Sequence, residues 1–406
     1  MDPELARWLV SDAARPALAE ASGQPDPGSL AAATALRRHW TAEQSAAVLT
    51  QVALRRRGLT KFGPPAEHLF FTPDALEQAT RAEVAAWRAA RFVAAGVREV
   101  VDLGCGIGAD ALAFAAAGLK VVAVEADPAT AVLAAANLGA ANLGAGAEVV
   151  CGDAVELAGE LLSDGAAVFI DPARRTASGR TWRVEDFSPP WDFATSLLTG
   201  RFGCIKGAPG LPSALLPNGL DATWVSHRGD LVETSLWSSR DRSSTVSPVP
   251  EPPRRQAVLL PGNQTLASGK DAPSGQVSRW LYEPDPAVIR ARAIGTLADS
   301  LHAWTVHPGI AYLTGDALVA TPFATAFEVS EILPYSEQVI RAWVRDHAVG
   351  VLEIKVRGLD VDPSTLRKRL KPRGPNSVTL VLTPTLDGSR ALVVRRVRTG
   401  SGADPH

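Results

Sequence analysis

The sequence predicts an α/β protein built on a doubly wound parallel sheet, with an N-terminal helical segment and a small C-terminal α+β domain. Three observations carry that prediction. Short apolar runs alternate with helix-length stretches from residue 97 to residue 206. A triple-glycine turn, Gly104-Cys105-Gly106-Ile107-Gly108, directly follows the first of those runs. A separate strand–helix–strand–strand pattern closes the chain. At 406 residues the chain exceeds one ordinary core, so more than one domain is expected. The division read here is 1–72 helical, 73–260 the sheet domain, 261–339 a connecting region with a helix, and 340–398 the terminal domain.

Residues 1–60 are rich in Ala, Leu and Arg and show no strand alternation, which predicts helices broken by the turn SGQPDPGS at 22–29. A firmer helix start follows at Thr72-Pro73-Asp74. Thr72 can cap free amides, Pro73 suits the first helical position and Asp74 complements the dipole. The spacing predicts one helix from there to about Ala94, with Arg81, Arg88 and Arg91 as a basic stripe, solvated in the commoner case and functional in the other. Val97–Leu103, Lys120–Glu125, Ala147–Cys151, Ala166–Ile170 and Phe202–Lys206 are strand candidates, and helices fill the intervals 109–117, 128–138, 154–162 and 191–199. That alternation implies a parallel sheet covered on both faces. Ala222–Ser226 and Leu231–Ser238 read as an antiparallel pair around His227-Arg228-Gly229-Asp230, extended by Gln256–Leu260. The Ser/Arg/Pro-rich stretch 238–253 and Gly262–Gly275 read as loops. The tandem ANLGA at 136–145 reads as a lengthened helix end and loop, and Asp285–Trp304 as a helix. In the terminal domain a strand at Val351–Arg357 precedes a helix at Pro363–Lys371 and strands at Ser377–Thr383 and Ala391–Val397.

Composition excludes several classes. A formal net charge of −2 gives no global signal for nucleic acid or membrane. No run of about 18 apolar residues is present, so no membrane span is expected. The beginning MDPELARWLV lacks a basic patch followed by an apolar stretch, which argues against a secretory signal. Cys105, Cys151 and Cys204 form neither a disulfide framework nor a zinc-ligand spacing, so a reducing, cytoplasmic setting and no metal are expected.

The chemistry concentrates in Val100-Val101-Asp102-Leu103-Gly104-Cys105-Gly106-Ile107-Gly108-Ala109-Asp110. An apolar strand ends in an acid, and glycines then let a ligand touch the backbone where no Cβ intervenes. Ligands of doubly wound sheets bind at these carboxyl ends. The spacing also matches a dinucleotide pattern with Ala109 as the third small residue. Glu125 ends the next strand, where a carboxylate can accept from both hydroxyls of a ribose, whether of NAD or of another nucleoside. Asp153 follows the third strand and can accept from an adenine amino group, cap the helix opening at Ala154, or both. The fourth strand ends in Asp171-Pro172-Ala173-Arg174-Arg175, a polar cluster at the rim that a bare dehydrogenase does not require.

VDLGCGIG, EADP, GDA and FIDPARR, in that order over about residues 75–260, resemble class I S-adenosylmethionine-dependent methyltransferases, whose sheet is the doubly wound (Rossmann-like) type. The resemblance implies S-adenosyl-L-methionine as cofactor. It implies that Asp102, Gly104, Cys105, Gly106 and Gly108 wrap the methionine part, Glu125 and Ala126 hold the ribose, and Asp153 with Ala154 meet the adenine. Many nucleic-acid amino-group methyltransferases carry two prolines and an aromatic after the fourth-strand acid. Here Ala173 and Arg174 stand in the last two places, which puts methylation of a flipped base in doubt. Arg174 and Arg175 can grip phosphate or pair with Asp171 or Glu185. Lys206, ending the fifth strand, is a second rim candidate beside Asp171, or else a solvated lysine in a turn. Cys204, two residues earlier in an apolar setting, reads as a buried thiol rather than a covalent nucleophile.

From 351 to 398 eleven cations face four carboxylates, densest at Arg367-Lys368-Arg369-Leu370-Lys371-Pro372-Arg373. Such a basic unit is either a solvated face or the footprint of a phosphate-backbone site. VLEIKVRGLDVDPSTLRKRLKPRGPNSVTLVLT resembles the THUMP-like domain that follows some bacterial methyltransferase domains, which implies an RNA substrate. The expected function is therefore methyl transfer to RNA. A small-molecule methyltransferase, an NAD(P)-dependent oxidoreductase and a non-catalytic RNA-binding protein are the alternatives.

Overall fold

The computed structural model describes residues 1–140, 146–162, 165–174, 184–238 and 253–397. Arg175, the second ANLGA copy at 141–145, most of the 238–253 stretch and Arg398 lie outside them. The chain divides into two compact units, residues 1–222 with 233–253, and residues 223–232 with 254 onward.

The first unit opens with helices α1 (Pro3–Val10), α2 (Arg15–Ser22), α3 (Leu30–Leu36) and α4 (Ala42–Phe62). Their starts follow the capping chemistry of the sequence: Asp2, Ser29 and Thr41 accept from free amides, and Thr41 with Gln44 closes a reciprocal capping box. Next come α5 (Pro73–Gln78) and α6 (Ala82–Ala94), then β1 (Glu99–Leu103), α7 (Ala109–Ala116), β2 (Lys120–Glu125), α8 (Pro128–Ala140), β3 (Ala147–Cys151), α9 (Ala154–Leu161) and β4 (Ala167–Ile170). The short pair β5 (Ala173–Arg174) and β6 (Phe187–Ser188) precedes α10 (Trp191–Leu197) and β7 (Gly203–Gly207). The parallel strands lie in the order β7-β4-β1-β2-β3, so the chain reverses its direction of growth after β3. That reversal places a crevice at the carboxyl ends of β1 and β4. Of β8 (Asp221–His227) and β9 (Asp230–Trp237), the latter runs antiparallel to β7, pairing Cys204 with Trp237 and Lys206 with Ser235.

One expected helix is two. Ala79 takes an extended conformation and separates α5 from α6. The Lys61 ammonium donates to the carbonyls of Leu76, Glu77 and Ala79 and so satisfies the acceptors that end α5. The basic stripe is also corrected. Arg88 is fully buried, because it shares a face with Val84 and Phe92, and Arg91 lies 4.0 Å over the Trp237 ring.

In the second unit Arg228 and Gly229 both take positive φ at the tip of the β8–β9 hairpin, as its two-residue turn demands. β10 (Arg255–Leu260) pairs antiparallel with β11 (Gln264–Ala267), a strand inside a stretch expected to be loop. A seven-stranded sheet follows, in the order β13-β14-β12-β15-β18-β17-β16. Its strands are β12 (Trp280–Pro284), β13 (Trp304–Thr305), β14 (Leu313–Gly315), β15 (Ala324–Pro334), β16 (Val349–Val356), β17 (Asn376–Thr385) and β18 (Gly388–Arg396). The helix expected at 285–304 is split at Arg292, whose φ is 57°, into α11 (Pro286–Arg290) and α12 (Ile294–Leu301). Helices α13 (Glu337–Asp346) and α14 (Pro363–Leu370) cover one face, packing Ile340, Val344, Leu366 and Leu370 on Leu380, Leu382, Ala391 and Val393. The alternate residues Val381, Leu392 and Val394 pack on the other face with Leu281, Tyr312 and Phe327. The sheet thus draws in strands from residue 280 onward, earlier than the terminal domain read at 340.

Candidate active site

The turn after β1 is shaped by its glycines. Gly104, Gly106 and Gly108 have φ of 88°, 56° and 82°, values that L side chains adopt only with strain. A Cβ on Gly106 would meet nothing within 4 Å, so its backbone faces open space. A Cβ on Gly104 would stand 3.9 Å from the Asp171 carbonyl, which brings the β1 turn against the β4 rim. Glu125, at the end of β2, steadies this turn: one carboxylate oxygen accepts from the Gly106 amide at 2.9 Å, the other from the Asp127 amide at 2.8 Å. Burial raises its carboxyl above the ordinary range, against those two amides. Cys105 lies beside it, its thiol pushed up by burial and by the nearby carboxylates of Asp102 and Glu125.

Asp102 is fully buried, yet neither of its carboxylate oxygens has a hydrogen-bond partner among the described residues. An unpartnered buried acid is costly. Burial, with the charges of Asp110 and Asp171, drives its carboxyl well above the usual carboxylate range, against Lys206 and Arg88. Such a group suits a ligand that brings a cation or donor. Registers place the other acids along the same sheet edge: Leu103 pairs with Val124 and with Ile170, and Glu125 pairs with Cys151. Asp153, two residues past β3, caps α9 by accepting from the Val155 amide at 2.7 Å, and remains exposed beside the buried Ala154. Ala126 follows Glu125 at the same edge, exposed.

On the rim, Asp171 and Lys206 form an ion pair at 2.5 Å, since Ile170 and Ile205 are register partners. Burial raises the Asp171 carboxyl although Lys206 pulls it down, and Asp171, Asp110 and Glu233 keep the Lys206 ammonium charged although burial opposes it. The lysine is therefore not solvated. Arg174 belongs to β5, three residues beyond Asp171. Cys204 is buried under Arg88, and burial pushes its thiol up to about 12, so it is no thiolate nucleophile at neutral pH.

Sequence reasoning missed the charged cluster behind this rim. Arg88 donates to both oxygens of Glu233 at 2.7 and 2.8 Å, to Asp110 at 3.0 Å and to Ser235 at 3.1 Å. Thr80 donates to Asp110 at 2.6 Å and Ser235 to Glu233 at 2.6 Å. Burial alone would lift Asp110, but Arg88, Lys206 and Thr80 outweigh it and hold its carboxyl below the ordinary range. The Val84–Arg88–Phe92 spacing was the available signal, a cation in the middle of an apolar helical face.

No helix among the described residues is long and apolar enough to cross a membrane. Comparison with known proteins agrees with the geometry. A family described as THUMP domain-like matches residues 324–396, and a family described as a domain of unknown function matches residues 2–58. Over 354 residues the chain is 32% identical to an uncharacterized S-adenosylmethionine-dependent methyltransferase of Mycobacterium tuberculosis (strain H37Rv), covering 85% of this chain and 94% of the relative. The counterpart from strain CDC 1551 matches to the same extent. A crystal structure described as a methyltransferase from Porphyromonas gingivalis W83 superposes with a TM-score of 0.75 at 24% identity, over 94% of this chain and 98% of that one, which shows a shared fold. With an acid-ended strand, a positive-φ glycine turn and an identity of this extent, the chain belongs to the S-adenosylmethionine-dependent methyltransferases.

Proposed function

We propose that this methyltransferase acts on RNA, bound in part by the exposed cations of α14 and the loop after it. Arg367, Lys368, Lys371 and Arg373 are exposed, and no ion pair engages them among the described residues. Arg369 is shared with Glu337 at 3.3 Å, whereas Lys355 and Arg395 are taken up by Glu283 and Glu328. Four free cations on one short segment are the single observation that carries the RNA reading, and the THUMP-like match at 324–396 supports it.

The residues present fit the cofactor. Asp102 offers two unused acceptors, Gly106 offers bare backbone, and Glu125 keeps further lone pairs beyond its two amide bonds. In this reading Asp102, Gly104, Cys105, Gly106 and Gly108 hold the methionine part, Glu125 and Ala126 the ribose, and Asp153 and Ala154 the adenine. When bound, S-adenosylmethionine supplies an electrophilic methyl on a sulfonium. The chain's own residues then orient and shield. Asp171, held by Lys206 through one oxygen, presents the other to an acceptor N–H or O–H and takes its proton as the methyl transfers. Lys206 keeps the cluster's charge balanced, and Arg174 is the proposed phosphate contact. In-line displacement needs alignment and exclusion of water rather than a covalent nucleophile, consistent with the buried Cys204.

The test has two arms. Calorimetry with S-adenosylhomocysteine should show binding to the wild type and none to Asp102→Ala or Gly106→Trp; equal binding by all three removes the pocket assignment. Charge reversal of Arg367, Lys368 and Lys371 should lower the slope of log affinity for RNA against log salt by roughly 2–3, at about 0.7–0.9 per lost phosphate contact. A wild type without salt-sensitive RNA affinity, or labelled cofactor marking a metabolite and leaving RNA unmodified, rejects the substrate.

A further inference from the structure

Two buried side-chain amides fasten a short non-helical stretch, Phe70–Phe71, between the N-terminal helices and the glycine turn. Asn137 of α8 accepts from the Phe70 amide at 2.7 Å and donates to the Phe70 carbonyl at 3.0 Å. The same Asn137 nitrogen donates to the carbonyl of Ile107, inside the turn, at 2.9 Å. Gln51 of α4 engages the next residue in the same way, donating to the Phe71 carbonyl at 2.5 Å and accepting from its amide at 2.9 Å. Both side chains are excluded from water, at 0% and 1% exposure for Gln51 and Asn137. Asn137 uses both amide N–H groups and Gln51 pairs both its oxygen and its nitrogen with Phe71, which fixes each side chain's orientation.

Apolar packing follows the same path. Leu54 and Phe62 of α4 share a cluster with Leu69, Phe71 and Leu76, with Ile107 of the turn and with Ala109, which opens α7. On the other flank, Val48 and Val52 of α4 and Leu9 of α1 pack with Ala129 and Leu133 of α8, the helix that follows Glu125. The N-terminal helices therefore touch both elements that frame the cofactor pocket.

We propose that the N-terminal helical segment is a working part of the cofactor site, with Gln51 and Asn137 as positioning residues that hold the glycine turn in its binding shape. This rests on the pocket reading above. A turn with three positive-φ glycines in five residues has wide conformational freedom when untethered. Apparent affinity falls in proportion to the fraction of molecules whose turn is competent. Glu125 tethers the turn at the Gly106 amide, and the Ile107 carbonyl bond and side chain tether its far half.

The experiment uses the full chain and S-adenosylhomocysteine. Gln51→Leu, Asn137→Leu and the double variant are compared with Arg56→Ala. Arg56 lies in the same helix but bonds the carbonyls of Ser22, Gln24 and Pro25. Affinity is measured well below each variant's unfolding midpoint, together with amide exchange at Gly106–Ala109. Expected are a tenfold or greater loss of affinity in Asn137→Leu, a several-fold loss in Gln51→Leu, less than additive losses in the double variant, and faster exchange in the turn. Arg56→Ala should lose stability while binding within twofold of wild type. Should Asn137→Leu fail to fold, Asn137→Asp and Gln51→Ala carry the comparison. Binding within twofold of wild type with unchanged exchange in the turn overturns the proposal. A wild type that does not bind at all overturns the pocket reading beneath it instead.

Discussion

Arg88→Met is the sharpest test of how this core is held. The guanidinium is fully buried, meets Asp110 and both oxygens of Glu233 at 2.7–3.0 Å, and stands 4.8 Å over the Phe169 ring. Methionine nearly fills the volume but leaves two buried carboxylates without their cation. Removing one partner from a buried pair costs about 3–5 kcal/mol. For a unit of this size that corresponds to roughly 2–4 °C of melting temperature per kcal/mol, hence a drop on the order of 10 °C. The deficit should shrink as pH falls, because the stranded carboxylates escape their penalty by taking up protons. Urea titration followed by tryptophan fluorescence at pH 5 and 8 measures both effects. Adding Glu233→Gln to Arg88→Met should recover part of the loss, since it removes one of the uncompensated charges. A single variant costing less than about 1 kcal/mol, or a double variant no better than the single, would show that charge pairing is not what Arg88 contributes.

Other outcomes follow from the same pocket. The raised Asp102 carboxyl binds a proton more tightly in the folded chain than in the unfolded one. Its contribution to stability therefore declines as pH climbs from the ordinary carboxylate range through the raised value, and Asp102→Asn should flatten that decline in denaturation experiments. On the proposed pocket reading, an ammonium docked at Asp102 reverses the preference, so S-adenosylhomocysteine binding should release a proton. Calorimetry in buffers of differing ionisation heat reads this release, and a buffer-independent heat in the wild type sinks the idea. Cys204, buried with its thiol near 12, should resist maleimide in the native protein while the exposed Cys151 reacts, and label only on unfolding. Native labelling of Cys204 at the rate of Cys151 would contradict its placement.

Much of the local geometry at the proposed pocket was legible in the chain before any coordinates, because it depends on neighbours in sequence. Asp102, the three glycines and Ala109 are contiguous, and only glycine takes the positive φ that the turn uses. Glu125 ends one predicted strand and Asp153 follows another, and strand ends in a parallel sheet converge by topology. The strands expected at Ser377–Thr383 and Ala391–Val397 likewise overlap β17 and β18.

What sequence could not tell is which charges are solvated. The apolar spacing around Arg88 hinted at its burial, but the acids that compensate it, Asp110 and Glu233, stand 22 and 145 residues away. The break at Ala79 arises because Lys61, distant in sequence, satisfies the carbonyls that a continued helix would have used. Gln51 carried no motif, and Asn137 lay in a repeat read only as a helix end, since their bonds to Phe70, Phe71 and Ile107 join residues far apart in sequence. Local stereochemistry is written in short stretches of chain, whereas desolvation and long-range hydrogen bonding exist only once the chain has closed on itself.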